Sequence, residues 1–256
     1  MNSIDLLKKA KVWLVIAKNL SLNLGQLRNQ YKCRFFSDRE TLIFLKEHPV
    51  GITRFGDGEL GYLSGYSFPH QKQDPVLRKK LLEILKTYND NSHFLIALPY
   101  DILFKRYQER NAEKTGWNAS RFSLLPYIKN RSVYGSAFCF RIRNVIDQDK
   151  KEYIDILFSL LSNKDVIFVG GGEPHPGLIS FERFIKTPPT DAFDEYFDLL
   201  KNIKNSVREV KNPCVVLSCG ITATALSAEL NNMGILSYDV GLCFSRTLAN
   251  FIKSSG

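Results

Sequence analysis

The chain has no apolar run long enough to cross a bilayer. A spanning helix needs about 20 consecutive, mostly apolar residues, and the early run Val12-Trp13-Leu14-Val15-Ile16-Ala17 stops at Lys18. No small-x-small cleavage site follows it, so a secretory leader is not expected. The five cysteines (Cys33, Cys139, Cys214, Cys219, Cys243) are odd in number and show no C-x-x-C spacing. They read as buried free thiols of a reducing compartment rather than as disulfides or a zinc site. His48, His70, His93 and His175 form no H-x-x-x-H pair, which removes the commonest zinc arrangement. G-x-G-x-x-G is missing, as are internal repeats, low-complexity tracts and domain-sized linkers. No basic run interleaved with aromatics is present, so nucleic acid is not an expected partner.

What is present is a chain of 256 residues, 44% hydrophobic and 24% charged, enough for one large core. The expected organisation is an N-terminal basic and apolar helical segment over residues 1–36, followed by a single domain over 37–256. Lys8, Lys9 and Lys11 put charge on one side of that first helix, which either packs on the domain or rests on a membrane surface. The net charge of +9 favours an anionic partner. The expected location is the cytoplasm, with contact at the inner face of the cell membrane left open, as is a homo-oligomer.

Along the chain, helical and extended signals alternate. Ser37-Asp38-Arg39-Glu40 is a capping box ahead of a short helix that stops before Pro49, and Val50 to Phe55 reads as a strand. Gly61 to Gln73 reads as a loop or lid. Asp74-Pro75 opens a helix with Leu77, Leu81 and Leu85 at helical spacing, and Phe94 to Leu98 is a buried strand. Asp101 to Glu113 is expected to be helical, and Val133 to Phe140 extended, with Arg141 and Arg143 after it. Asp149 and Glu152 form a cap pair for the next helix, and the strand Asp165 to Val169 runs into Gly170-Gly171-Gly172, where close approach by a ligand is expected. Asp191 is expected to cap a helix carrying Phe193, Tyr196 and Leu200. Strand Cys214 to Ser218, helix Thr222 to Met233 and strand Ile235 to Val240 complete the pattern. The alternation predicts an α/β fold, a Rossmann-like, doubly wound and mostly parallel sheet with helices on both faces.

Two stretches carry candidate chemistry. Arg54-Phe55-Gly56-Asp57-Gly58-Glu59 ends a predicted strand, where ligands of open α/β sheets gather. In an extended segment Asp57 and Glu59 would point the same way and converge on a hard cation, Mn²⁺ or Mg²⁺, that shares its remaining sites with phosphates. The alternative is an Asp-Gly turn with a solvated glutamate. The second stretch is Gly220-Ile221-Thr222, at a helix N-terminus suited to anions. Asp239 follows at the end of the next strand, where an acid can hold a ribose hydroxyl. There the alternative is a small-residue turn that packs helix on sheet.

The Arg54 to Glu59 segment, Gln71, Tyr134-Gly135-Ser136 with Arg141, and the run Val215 to Gly241 together resemble the GT-D fold glycosyltransferases of bacterial glycan gene clusters, first catalogued as a domain of unknown function. The resemblance covers about residues 50 to 245. It implies a UDP-sugar donor, a protein- or lipid-linked glycan acceptor, and an Asp-x-Glu motif serving a divalent metal, often manganese. Asp57 and Glu59 then take the catalytic and metal role. Arg54, Gly56, Gly58, Gln71, Arg141, Gly220, Thr222 and Asp239 are the donor-site candidates. This chain departs from the family pattern at Leu242, where a histidine is expected. Asp101, Glu173 and His175 are candidates for a general base. A Rossmann-fold oxidoreductase or methyltransferase, and a non-catalytic subunit that binds sugar nucleotides, stand as the competing readings.

Overall fold

The computed structural model describes residues 32–99, 124–141 and 149–244, together with 248 and 252. The expected N-terminal helix, the helix from Asp101 to Glu113, Asp101 itself and Arg143 lie outside the described residues. Within them, eight strands form one sheet: β1 (Arg34–Phe35), β2 (Gly51–Arg54), β3 (Phe94–Leu98), β4 (Val133–Ser136), β5 (Asp165–Gly170), β6 (Arg183–Lys186), β7 (Pro213–Ser218) and β8 (Ser237–Asp239). Their order is β1-β4-β3-β2-β8-β7-β5-β6, and every pairing is parallel. The helices are α1 (Asp38–Glu47), α2 (Asp57–Leu63), α3 (Pro75–Thr87), α4 (Lys150–Ser159), α5 (Tyr196–Arg208) and α6 (Ile221–Asn232).

Helices cover both faces, and the strands show it. In β5 and β7, Ile167, Val169, Val215 and Leu217 join the core beneath α3, α5 and α6. Val166, Phe168, Cys214 and Val216 join the opposite core with Leu42 of α1 and Leu157 of α4. Side chains alternate across a strand, so a sheet buried on both sides must be apolar at every position. That is why these strands are continuous runs. Cys139, Cys214, Cys219 and Cys243 are buried free thiols and Cys33 is half-buried. Burial pushes the Cys214 and Cys243 thiols up to about 12, which keeps them protonated and unreactive.

Local signals set several boundaries. The Ser37–Glu40 capping box forms as expected, with the Glu40 amide donating to Ser37 Oγ at 3.2 Å and the Ser37 amide to Glu40 Oε2 at 2.8 Å. Asp74 accepts from the amides of Val76 and Leu77 at the start of α3. Other expectations need correction. Asp191 sits in left-handed backbone (φ 51°) and makes no cap; a 3-10 turn, Ala192–Glu195, precedes α5, and the Asp191 carboxylate instead accepts from the Lys72 amide at 2.7 Å. Asp149 makes no side-chain cap, and Glu152 pairs with Arg39. The extended stretch from Val133 ends at Ser136, followed by a turn over residues 137–140. Gly61 to Leu63 belong to α2, so the expected loop starts later, and β6 was not foreseen.

The sheet centre is held by small residues. Helix α6 is buried at nearly every position, and Ala223, Ala225, Ser227 and Ala228 let it lie close to β2 and β8. Thr53 and Ser227 share a buried hydrogen bond of 2.6 Å. Asn231 donates to the carbonyls of Ser227 and Ser237 and accepts from the Ser237 amide. A methyl group on Gly51 would lie 2.0 Å from Asn231 Oδ1. We therefore expect Gly51→Ala to destabilise the fold by about 2–3 kcal/mol, through overpacking and loss of buried hydrogen bonds. Urea unfolding measures this, and a variant as stable as the parent would show that the network yields freely.

Candidate active site

A cleft of about 1050 Å³ opens over the carboxyl ends of the central strands. Arg54, Gly56, Asp57, Gly58, Glu59, Arg141 and Gly220 all line it. Another cavity, of about 470 Å³, lies beside Arg34, Phe36, His48, Asp90 and Phe94, at the amino ends of β1 to β4. Parallel α/β sheets bind ligands at the other end, where the loops converge.

Beneath the cleft is a buried ionic centre. Arg54, the last residue of β2, reaches Asp239, the last residue of β8, with Nη2 to Oδ1 at 3.3 Å and Nε to Oδ1 at 3.4 Å. Its Nη1 donates to the carbonyl of Ala137 at 2.9 Å. Asp239 also accepts from Thr224 Oγ1 at 3.4 Å and from the Gly241 amide at 3.3 Å. Burial raises the Asp239 carboxyl above its ordinary value, against the pull of Arg54. Burial also opposes the charge on Arg54, but Asp239 and Glu59 outweigh it and hold the guanidinium charged. A Cβ on Gly241, whose φ is +55°, would come within 2.4 Å of Arg54 Nη2. Only glycine allows both the turn and the approach.

The Asp57–Glu59 motif is not the extended pair expected. Asp57 and Glu59 are the first and third residues of α2, which Gly56 precedes in extended backbone. Residues two apart on a helix project about 200° apart, so the carboxylates diverge. Glu59 turns inward and caps its own helix, accepting from the Gly56 amide at 2.8 Å. Burial, followed by the charge of Asp239, pushes Glu59 up to about 7. Asp57 turns out to the cleft and pairs with Arg141 at 2.7 Å, with both side chains 42% exposed. Arg141 lies over the Phe138 ring at 4.7 Å. Exposed pairs of this kind contribute less than about 1 kcal/mol, so a metal or phosphate entering the cleft can separate these two at little cost.

The remaining candidates divide. Gly220, at φ +62°, precedes α6, and Gly220 and Ile221 line the cleft at that helix's N-terminus, a position suited to anions. Thr222 and Gln71 are buried off the cleft and bond each other, Thr222 Oγ1 to Gln71 Oε1 at 3.3 Å. They tie the loop after α2 to α6. Asp239 is likewise turned away from the cleft, its oxygens taken up by Arg54, Thr224 and Gly241. Leu242 is 80% exposed at the cleft rim. Glu173 and His175 follow β5 and do not line the cleft. The sequence reading missed His70, which lies over the Gly220 turn, with its Cδ2 3.5 Å from where a Cβ on Gly220 would sit, and stacks on Phe68 at 5.6 Å. It also missed Thr187, Pro188 and Pro189 after β6, for which the double proline was the available signal.

The family model for the glycosyltransferase GT-D fold matches residues 52–246. The chain belongs to the GT-D fold glycosyltransferases. It is 28% identical over 217 residues to Glycosyltransferase GlyD of Streptococcus pneumoniae serotype 4, covering 79% of this chain and 26% of that protein. It is 27% identical over 221 residues to the Probable glycosyl transferase Gly of Streptococcus gordonii, covering 79% and 31%. The chain thus spans between a quarter and a third of the curated relatives it matches. Among solved structures, it resembles one described as showing that the highly conserved domain of unknown function 1792 has a distinct glycosyltransferase fold, with a TM-score of 0.73, 22% identity and coverage of 91% and 87%. A further one, a new glycosyltransferase (DUF1792) from Streptococcus sanguinis, gives a TM-score of 0.70 at 24% identity, covering 88% and 87%. At these identities the structures establish the GT-D architecture alone.

The implied divalent cation fits the donor set in part. Asp57 offers an oxygen ligand at the cleft, and Glu59 stands behind it. Among the described residues, no group of three or more His, Cys, Asp or Glu side chains converges on one point. A divalent cation held there would need further oxygen ligands beyond those the described side chains supply.

The protonation of Glu59 is testable through stability. Its carboxyl ionises at about 7 in the folded chain against an ordinary 4.5. Between those values the folded state holds a proton that the unfolded state has lost, so stability falls as pH rises through that window. Glu59→Gln keeps the cap acceptor but cannot ionise. We expect it to flatten this fall and to leave the variant more stable than the parent at pH 7.5 by an amount on the order of 3 kcal/mol. Urea unfolding at pH 5 and pH 7.5 measures it, and parallel pH profiles would overturn the assignment.

Proposed function

We propose that the protein transfers a hexose from a UDP-sugar to a protein- or lipid-linked glycan acceptor in bacterial polysaccharide or glycoprotein synthesis. The observation that carries this reading is the pairing, in one cleft, of the exposed Asp57–Arg141 couple with the amide-lined Gly220 turn. A departing nucleoside diphosphate concentrates negative charge as the anomeric carbon turns cationic, and fixed positive groups at the diphosphate lower that barrier. Arg141, once released from its exposed pair with Asp57 and set against the diphosphate, and the helix N-terminus at Gly220 are those groups. Asp57, with Glu59 behind it, would hold a divalent cation that neutralises the same leaving group. Arg54 acts from below: locked by Asp239 and Ala137, it fixes the end of β2 and so the direction of α2. His70, beside Gly220, adds a ring at the diphosphate side of the cleft.

Family membership favours this reading over an oxidoreductase or methyltransferase. The non-catalytic subunit keeps one specific observation on its side, the exposed Leu242 where the family pattern carries histidine. Turnover separates the two. We expect the purified chain to hydrolyse or transfer from a UDP-hexose in the presence of Mn²⁺, and Asp57→Asn to lower kcat at least about a hundredfold while the fold remains intact. UDP binding without turnover in the parent chain would favour the subunit reading, and an Asp57→Asn variant with full activity would remove Asp57 from the mechanism.

A further inference from the structure

The second cavity, at the amino ends of β1 to β4, lies away from the cleft and has no part in the proposed reaction. It holds about 470 Å³ and is walled by one side of α1. Along that wall aromatic rings stand in contact, Phe36 and Phe44 with centroids 5.1 Å apart and Phe44 and His48 4.4 Å apart. The Arg34 guanidinium lies over Phe36 at 4.9 Å. Val50, Phe94 and Leu95 line the cavity from the sheet. Ile43 and Phe44 are half-buried here, whereas Leu42 and Leu45 of the same helix enter the core. A helix that is apolar on two sides calls for a partner on the second as well as on the first.

The rim is acidic in a chain whose net charge is +9. Glu40, Glu47 and Asp90 border the cavity, against Arg34 and His48. Residues 1–31 have the opposite character, and they join the domain at Lys32, two residues before the Arg34 wall. In their sequence Leu6, Ala10, Trp13, Ala17, Leu20 and Leu24 recur at alternating spacings of four and three, the pattern of one helix face. Lys9, Lys11 and Lys18 each adjoin a position of that stripe, about 100° round such a helix. Asp5 is the one acid in the segment.

We propose that this groove receives the N-terminal segment of the same chain, with the Trp13 indole in the cavity and the lysines at the acidic rim. Helix α1 has 10 residues, so the groove beside it accommodates about three turns of a second helix, the stretch from Ala10 to Leu20. Ala10 and Ala17, on either side of Trp13, let the backbones approach while the one large ring fills the space. A buried indole N–H needs an acceptor, which Glu47 or Asp90 can supply. The docking sets the segment on the domain rather than on a membrane surface, the choice that its sequence leaves open. The family model begins at residue 52, so the segment and the α1 wall both stand outside the matched region, and the docking holds whatever the sugar donor.

Trp13 reports on its own position. Trp117→Phe leaves it the one tryptophan of the full chain, and acrylamide quenching of its fluorescence measures its access to solvent. Trp13 should be shielded in the folded chain relative to the chain in urea. Phe44→Lys, which removes the central ring and adds a like charge, should abolish the shielding. Glu47→Lys, on an exposed residue, should reduce it, and more so at low salt than at high. Circular dichroism checks that the variants fold; if Trp117→Phe does not, the difference between the parent chain and Trp13→Phe gives the same reading, and Glu47→Lys stands in for Phe44→Lys. Shielding that is absent, or unchanged by the groove variants, would overturn the docking. So would shielding that appears only with phosphatidylglycerol vesicles, which would put the segment on a membrane, or shielding lost as a dimer dilutes to monomer, which would put it on a second copy.

Discussion

The buried ion pair of Arg54 and Asp239 is the constraint on which the rest of the site depends. It joins the carboxyl ends of β2 and β8, adjacent strands at the centre of the sheet. Charges at this depth are tolerated only when paired and hydrogen-bonded, and both partners have further bonds, to Ala137, Thr224 and Gly241. Glu59 is the third member and tips the balance toward negative charge. The cluster avoids an unpaired buried charge by keeping a proton on Glu59 up to about 7. The same packing fixes Gly241, since nothing larger than hydrogen fits against the guanidinium.

From that centre follows the division between two acids only two residues apart. Glu59 faces inward, capping α2 and joining the ionic cluster, while Asp57 faces the cleft. A helix makes this separation unavoidable, where an extended strand would have aimed both at one ligand. The capping contact from Glu59 to the Gly56 amide also helps a seven-residue, glycine-rich helix form at all, since short helices are marginal without tertiary support. Arg54 and Arg141 divide in parallel: one is locked in the floor by Asp239, the other lies at the surface in an ion pair that a ligand can displace.

Much of this architecture was legible in the sequence because its signals are local. Phe94–Leu98 is apolar at every position because both faces of the sheet are covered, and the Ser37–Glu40 and Asp74–Pro75 starts carry their own caps. What was not legible depends on distant partners. Helix α2 hides behind two glycines, which argue for a turn until Glu59 is seen to cap the helix. β6, with Arg183 and Lys186 exposed at a sheet edge, lacks the apolar signature of its neighbours. Asp191 has the composition of a cap, yet its carboxylate is drawn to Lys72, more than a hundred residues away. Of the site, Arg54, Asp57, Glu59, Arg141 and Gly220 were named while His70, Thr187, Pro188 and Pro189 were not, and the roles of Gln71, Thr222 and Asp239 as supports required knowing which way each side chain turns.

With only Asp57 of the two acids turned into the cleft, the described residues supply an incomplete set of ligands for a divalent cation. Mg²⁺ and Mn²⁺ commonly take their remaining oxygens from a bound phosphate and from water. Under the proposed function, metal and nucleotide therefore complete each other's site, and neither is held strongly alone. The exposed Asp57–Arg141 pair adds little to this, since it contributes less than about 1 kcal/mol, but a cation that takes the carboxylate also frees the guanidinium for a phosphate. Under the proposed function the interdependence comes from the shared coordination shell, which a preformed cage of several carboxylates would not create.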